Sequence, residues 1–205
     1  MLNRHETELR KKEKTIASIV EATELLVGAR SDSLPTVREI AKKSGYSIGS
    51  FYRNFTSVGE IVAQIVARRQ VATATTVETL LVQHSPDDGV DVFCSKLTVL
   101  LFSLAQAINP KVVRLIFNVA LDHSRHVDTL NIAADRMVSP LMAAIARDRS
   151  GTFKKSSEKE LHLLSRGTVF MVRSPLLEGN SFFGTPEHKA MVYNYMLKGL
   201  QAEPE

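Results

Sequence analysis

An all-α fold of about nine helices is what this sequence predicts, and three observations point to it. Apolar residues recur at i, i+3, i+4 and i+7 in almost every segment between turn-forming clusters, the period of a helix buried on one face. Ten Gly and seven Pro in 205 residues supply too few turn clusters for an all-β chain. Two segments open with a Thr or Ser followed three residues later by Glu, at Thr36 and Ser157, which is the capping-box signature of a helix start. With 44% hydrophobic and 23% charged residues, the composition is globular rather than disordered.

The first helix is predicted over about residues 9–29, where Ile16, Ile19, Val20, Thr23, Leu26 and Val27 make one stripe. A basic arm, Arg10, Lys11, Lys12 and Lys14, leads into it. After a Ser/Asp/Pro loop at 30–35, Thr36 caps the second helix, whose inner face is Val37, Ile40 and Ala41. Gly45 can take the left-handed conformation that closes a helix. Ser47 then caps a short third helix, Ile48–Asn54, with Phe51 and Phe55 turned inward. Ser57 caps a fourth helix that runs to about His84, with Ile61, Ile65 and Val66 near its start and Val77, Leu80 and Leu81 near its end. Its polar, small middle, residues 68–76, suits a helix bridging two lobes.

A fifth helix is predicted over about 87–108, and a short sixth opens with Pro110, a good first-turn residue. The seventh covers about 122–149. Its stripe of Val127, Leu130, Ala134, Met137, Leu141 and Ile145 continues through Pro140, where a kink or two abutting helices is expected. The eighth runs from the Ser157–Glu160 capping box to about Arg173. A loop holding Pro175, Gly179 and Gly184 leads to the ninth, capped by Thr185 with Pro186 in first position. The last residues, AEPE, are expected to fray. Residues 1–57 form one predicted domain, 58–84 the connecting helix, and 85–205 a larger second domain.

Several function classes drop out early. One cysteine, Cys94, excludes an intramolecular disulfide framework and a cysteine-based zinc site. Within VFCSKLTVLLF it reads as a small buried apolar residue, with a redox-sensing thiol as the alternative. His123 and His126 stand between Asp122 and Asp128. They read as solvated helix-start residues, a metal or pH-sensing site being the alternative. No P-loop, H-E-x-x-H or G-x-G-x-x-G pattern occurs, so neither an enzyme nor a bound cofactor or metal is expected. The N-terminus alternates charge signs before any apolar run, unlike a signal peptide, and Asp91, Lys96 and Gln106 interrupt the most apolar stretch. A cytoplasmic location without membrane contact is the expectation.

What remains points to nucleic acid. Residues 1–70 hold twelve Lys and Arg against eight Asp and Glu, whereas 71–205 hold fourteen of each. The whole formal excess of +4 therefore lies in the third of the chain that carries the 36–55 helix pair. Two short helices at a fixed angle let the second enter the major groove of double-stranded DNA. Ser47, Ile48, Gly49 and Ser50 occupy the end that reaches base edges, and Gly49 lets the backbone approach closely. Tyr52, Arg53 and Asn54 fall toward flanking phosphates, with Arg53 also within range of a guanine. Tyr52 packed between helices and Arg53 as a solvated end are the alternatives. Thr36 and Arg38 sit at the positive end of the second helix, where phosphate is favoured, and Lys12 is the arm residue placed on the backbone.

The run I-x-x-A-T-x-x-L-V at Ile19–Val27, followed by TVREIAKKSGYSIGSFYRNF and a helix opening after Ser57, resembles the tetracycline-repressor (TetR) family of bacterial regulators. The resemblance covers about residues 14–62, and beyond them rests on helix number, order and total length. It implies an all-α homodimer with a small helix-turn-helix DNA-binding domain. It also implies a variable C-terminal domain where a small molecule binds and loosens the DNA grip, and a four-helix dimer contact through the eighth and ninth helices. Ser31 and Asp32 stand where most members have Gly and an aromatic, Asn54 where His is frequent, and Val58 where Lys is frequent. Ile48 replaces a residue type that is often polar, which makes a thymine methyl a possible contact.

An unknown small-molecule effector is expected between the fifth, sixth, seventh and eighth helices. Phe93, Leu97, Leu101, Phe117, Leu121, Met137 and Phe170 are candidate lining residues, although most of such a stripe is ordinary core. The function expected is a ligand-responsive transcriptional repressor, bound as a homodimer to a palindromic operator. A helical adaptor for another protein, or a small-molecule-binding protein without a regulatory role, are the alternatives.

Overall fold

The computed structural model describes residues 4–29, 33–107, 113–115, 117, 119 and 131–203. The architecture is all-α. Eight helices are described end to end: α1 Arg4–Gly28, α2 Val37–Ser44, α3 Ile48–Asn54, α4 Val58–Gln83, α5 Val90–Gln106, α6 Ile132–Arg147, α7 Glu158–Glu178 and α8 Pro186–Leu200. Val113–Leu115, Phe117 and Val119 are helical as well, within the stretch predicted as the sixth helix. Helices α6, α7 and α8 thus correspond to the predicted seventh, eighth and ninth. The chain divides into two units, Met1–Val66 with Leu115–Val127, and Ala67–Arg114 with Asp128–Glu205. No described helix is long and apolar enough to cross a membrane.

Local signals set most helix ends. The Thr36–Glu39 and Ser157–Glu160 capping boxes are both formed, and Thr185 caps α8 with Pro186 in its first turn. At Ser157, hydrogen bonds from its backbone and side chain hold the Glu160 carboxyl down at about 2. Gly45 closes α2 in the left-handed region at φ 77°. Helix α1 begins at Arg4, so Arg10, Lys11, Lys12 and Lys14 lie on the helix and not in an arm. Arg, Lys and Glu favour helix and no Gly or Pro interrupts the run.

Three further expectations are narrowed or corrected in the C-terminal unit. Helix α6 passes through Pro140 as one helix, so there is no pair of abutting helices. Residues 122–130 of that predicted helix lie outside the described residues. Helix α7 does not stop near Arg173 but continues through Pro175 to a left-handed cap at Gly179. Pro175 has no N–H for the carbonyl four residues back, Met171. That carbonyl is taken instead by Nε2 of His188 on α8, at 2.9 Å. The third correction concerns the chain end. Gln201 forms an antiparallel bridge with Phe153, flanked by Lys154 N–H to Leu200 O at 2.7 Å and Ala202 N–H to Thr152 O at 2.9 Å. No alternating pattern announces a single bridge.

The N-terminal unit packs Ile19 and Val20 of α1, Ile40 of α2, Phe51 and Phe55 around α3, and Ile61 and Ile65 of α4 into one core. In the C-terminal unit a larger core joins Val77 and Leu81 of α4 to Phe93, Leu97 and Leu101 of α5, Met137 and Leu141 of α6, Leu161 of α7, and Val192 and Met196 of α8. Arg136 on α6 grips Glu78 on α4 with two bonds of 2.7 and 2.6 Å.

Replacing His188 by Phe keeps an aromatic ring in the core but leaves the Met171 carbonyl without its donor. The variant is expected to lose about 1–3 kcal/mol in urea unfolding. An unchanged midpoint would show that the carbonyl finds another partner.

Candidate nucleic-acid interface

Helix α3 is a seven-residue helix held from both ends and one side. Ser47 accepts a bond from Ser50 N–H at 3.1 Å, and the two hydroxyls lie 3.0 Å apart. At the far end Phe55 N–H reaches Phe51 O at 2.9 Å. Phe51 and Phe55 are buried with ring centroids 5.9 Å apart, which fixes the inward face. The opposite face is open. Ile48 is 42% exposed and Tyr52 60%, with Gly49 and Arg53 exposed beside them. At ~100° per residue these four span about 140° of the helix circumference.

Polar contacts order the site. Arg53 Nη2 donates to Ser50 Oγ at 3.0 Å, so Ser50 links the cap to the arginine. Asn54 turns its Nδ2 back to Ser50 O at 2.7 Å. Tyr52 meets Phe51 edge to face at 5.3 Å while its ring stays largely in solvent, so it is not packed between helices. Gly49 is not demanded by the fold: a methyl there would meet nothing nearer than Ser47 Oγ at 3.7 Å.

At the start of α2, Thr36 accepts from Glu39 N–H at 3.3 Å and gives its hydroxyl proton to Glu39 Oε2 at 2.8 Å. Oε2 also accepts Thr36 N–H at 2.8 Å, so a carboxylate already occupies this helix end. A phosphate would have to displace it. Arg38, Lys12, Lys42 and Lys43 are exposed.

Solved structures share this fold over most of the chain. A TetR-family regulator from Pseudomonas syringae pv. tomato matches at TM-score 0.59 and 17% identity, covering 91% of this chain and 97% of its own. One from Marinobacter aquaeolei matches at 0.55 and 17%, covering 95% and 99%. RolR, solved with resorcinol, matches at 0.63 and 14%, covering 94% and 90%. The fold is that of TetR-family regulators. No protein-family model matches the sequence, and no curated protein matches it either. At these identities the likeness speaks for the fold alone.

Within this TetR fold the described candidate effector residues fall in different settings. Phe93, Leu97, Leu101 and Met137 are buried in the core of the C-terminal unit. Phe117 is buried but belongs to the N-terminal unit, and Leu121 lies outside the described residues, as do His123 and His126. Phe170 is 59% exposed on α7. Two clefts that sequence reasoning missed are lined by other residues. One, of about 560 Å³, includes Met142, Ile145, Phe153 and Lys155, and the other, of about 410 Å³, includes Val99, Phe102, Gln106 and Lys189. The first is lined by the end of α6 and the loop after it, residues 142–156, and the second by α5 with Lys189 of α8. Cys94 is fully buried and its thiol is pushed up to about 12 by burial, far from a reactive thiolate. Among the described residues no group of three or more His, Cys, Asp or Glu could hold a metal ion.

A second exposed surface lies on α7 and α8. Leu163 and Phe170, seven residues apart, and Met191 and Tyr195, four apart, are large apolar side chains in solvent. The two helices approach closely, since a methyl on Gly167 would overlap the Tyr195 hydroxyl and one on Gly199 would meet Leu164 at 2.5 Å.

Gly49→Ala is expected to leave thermal and urea stability unchanged or raise it by up to ~1 kcal/mol, because a helix gains from Ala and the space is free. A loss of stability would show that α3 itself needs the glycine.

Proposed function

We propose that the protein is a DNA-binding transcriptional regulator, a ligand-responsive repressor that binds a palindromic operator as a homodimer. The observation that carries this reading is the two-sidedness of α3: Phe51 and Phe55 anchor one face while Ile48, Gly49, Tyr52 and Arg53 stand open on the other. An exposed Ile and Tyr on a helix so firmly held present apolar surface that the core of the unit leaves uncovered. In a major groove Ile48 meets a thymine methyl, Gly49 allows close backbone approach, and Arg53, preset by Ser50, meets a guanine or phosphate. Tyr52, Asn54, Arg38, Lys12 and the Thr36 end of α2 serve the flanking backbone.

Dimerisation through α7 and α8 is supported by Leu163, Phe170, Met191 and Tyr195, which a second copy would cover. The two α3 helices of such a dimer must sit about one DNA turn apart, ~34 Å. Ligand response is supported by the shared fold of RolR, solved with resorcinol. It is also supported by α4, one continuous helix from Val58 to Gln83 whose Glu78 is held by Arg136 of α6. A ligand that moves α6 carries α4 with it and spoils the operator spacing, with coupling typically ~1–3 kcal/mol. Nothing in this reading calls for catalysis.

Selection of duplexes from a random pool, followed by binding at several salt concentrations, is the direct test. One enriched palindrome with steep salt dependence is expected. Equal binding to all sequences would favour an adaptor that merely docks on DNA. Tyr52→Ala is expected to remove operator binding with the dimer intact, since each lost contact, worth ~1–3 kcal/mol, occurs twice per dimer. A monomeric Tyr52→Ala protein would mark the residue as structural. Phe170→Asp is expected to yield monomers in sedimentation without unfolding the chain, and a stable dimer would move the interface elsewhere.

A further inference from the structure

His84, the first residue beyond α4, is 8% exposed, and neither ring nitrogen has a hydrogen-bond partner. The other buried imidazole, His188, has both nitrogens engaged, one by Gly184 N–H at 3.2 Å and one at Met171 O. Among the described residues, Ser165 is the sole other residue with such an orphaned side-chain atom. His84 meets Phe93 of α5 edge to face at 5.0 Å and Phe153 at 5.8 Å, and those two rings lie 5.5 Å apart. Three segments therefore converge on one aromatic triangle: the end of α4, the first turn of α5, and the stretch after α6 that is pinned to Gln201. A phenyl ring would fill this triangle without leaving two nitrogens unpaired, so packing alone does not explain a histidine.

The surrounding charges decide what a proton would do there. Asp88, from the turn after α4, is paired with Lys96 of α5 at 2.9 Å. Asp148, at the end of α6, gives its oxygens to Ser150 and to Phe153 N–H. The imidazolium would find no free carboxylate inside the triangle. Burial holds His84 below its ordinary 6.5, opposed in part by Asp88, with Lys96 adding to the lowering and Asp148 to the opposition.

We propose that His84 is a proton-operated latch on the end of α4: neutral, it closes the Phe93–Phe153 triangle, and protonated, it leaves that triangle for Asp88 and loosens α4. The unfolded chain binds the proton more readily than the folded one. The latch therefore contributes fully above pH 6.5, and its contribution falls as pH drops through 6.5 toward the lowered folded value. Arg147 donates to Leu81 O and Val82 O at 3.3 and 3.4 Å and holds the same helix end. Any effect on DNA binding rests on the proposed function, through α4.

The test compares urea unfolding of the wild type and His84→Phe between pH 5 and 8. The unfolding equilibrium constant of the wild type is expected to rise on acidification at least about threefold more than that of the variant. Parallel profiles would overturn the proposal. Should His84→Phe fail to fold, NMR titration of the wild-type histidines replaces it. A His84 titrating below 6.5, with the Phe93 and Phe153 ring signals moving along the same curve, supports the latch. Titration at or above 6.5, or titration without movement of those rings, overturns it. A protein that selects no operator at any pH would end the DNA reading while leaving the stability profile intact.

Discussion

The burial of Phe51 and Phe55 against Ile19, Ile40 and Ile61 is the constraint on which the candidate site depends. A seven-residue helix has almost no stability of its own, since nucleation is unfavourable and only a few backbone bonds repay it. Two buried rings, a serine cap and the left-handed turn at Gly45 together fix where α3 lies and how it is rotated about its axis. Because the inward face is settled by these contacts, the outward face is free to carry residues that the fold does not need. Gly49, with empty space beyond it, and Tyr52, with its ring in solvent, are of that kind.

The C-terminal unit is held differently, by polar ties as well as by a core. Arg136 grips Glu78, Arg166 grips Asp135 at 2.8 and 3.0 Å, and Arg147 reaches the last carbonyls of α4. Ion pairs this exposed add little stability each, but their two-bond geometry defines which helix positions face one another. His188 adds a covert tie, repairing the gap that Pro175 leaves in α7. A helix such as α4, joined at discrete points, can change its setting when one point changes, and His84 and Glu78 are two such points.

Effector recognition is where sequence reasoning reached least far. Phe93 and Phe170 look alike in the sequence, each an aromatic on a helical stripe, yet one is fully buried and the other stands in solvent. An apolar stripe states that a face is covered without stating by what: core, ligand or a second copy of the chain. Phe117 makes the same point, being buried in the N-terminal unit although its neighbours in sequence suggested the other one.

By itself the sequence determined what is local: the two capping boxes, the Gly45 turn, the Thr185–Pro186 start and the inward pair of aromatics on α3. Each depends on side chains within about one helical turn of each other, so a fixed spacing is enough to read it. The tertiary structure alone decided the passage of α7 through Pro175, the Phe153–Gln201 bridge, the aromatic triangle around His84 and the exposure of Phe170. Those features join residues far apart in the chain, and which partner each group meets depends on how the helices pack. The helix-turn-helix segment belongs to the first kind. The contacts that hold α4 to its neighbours belong to the second.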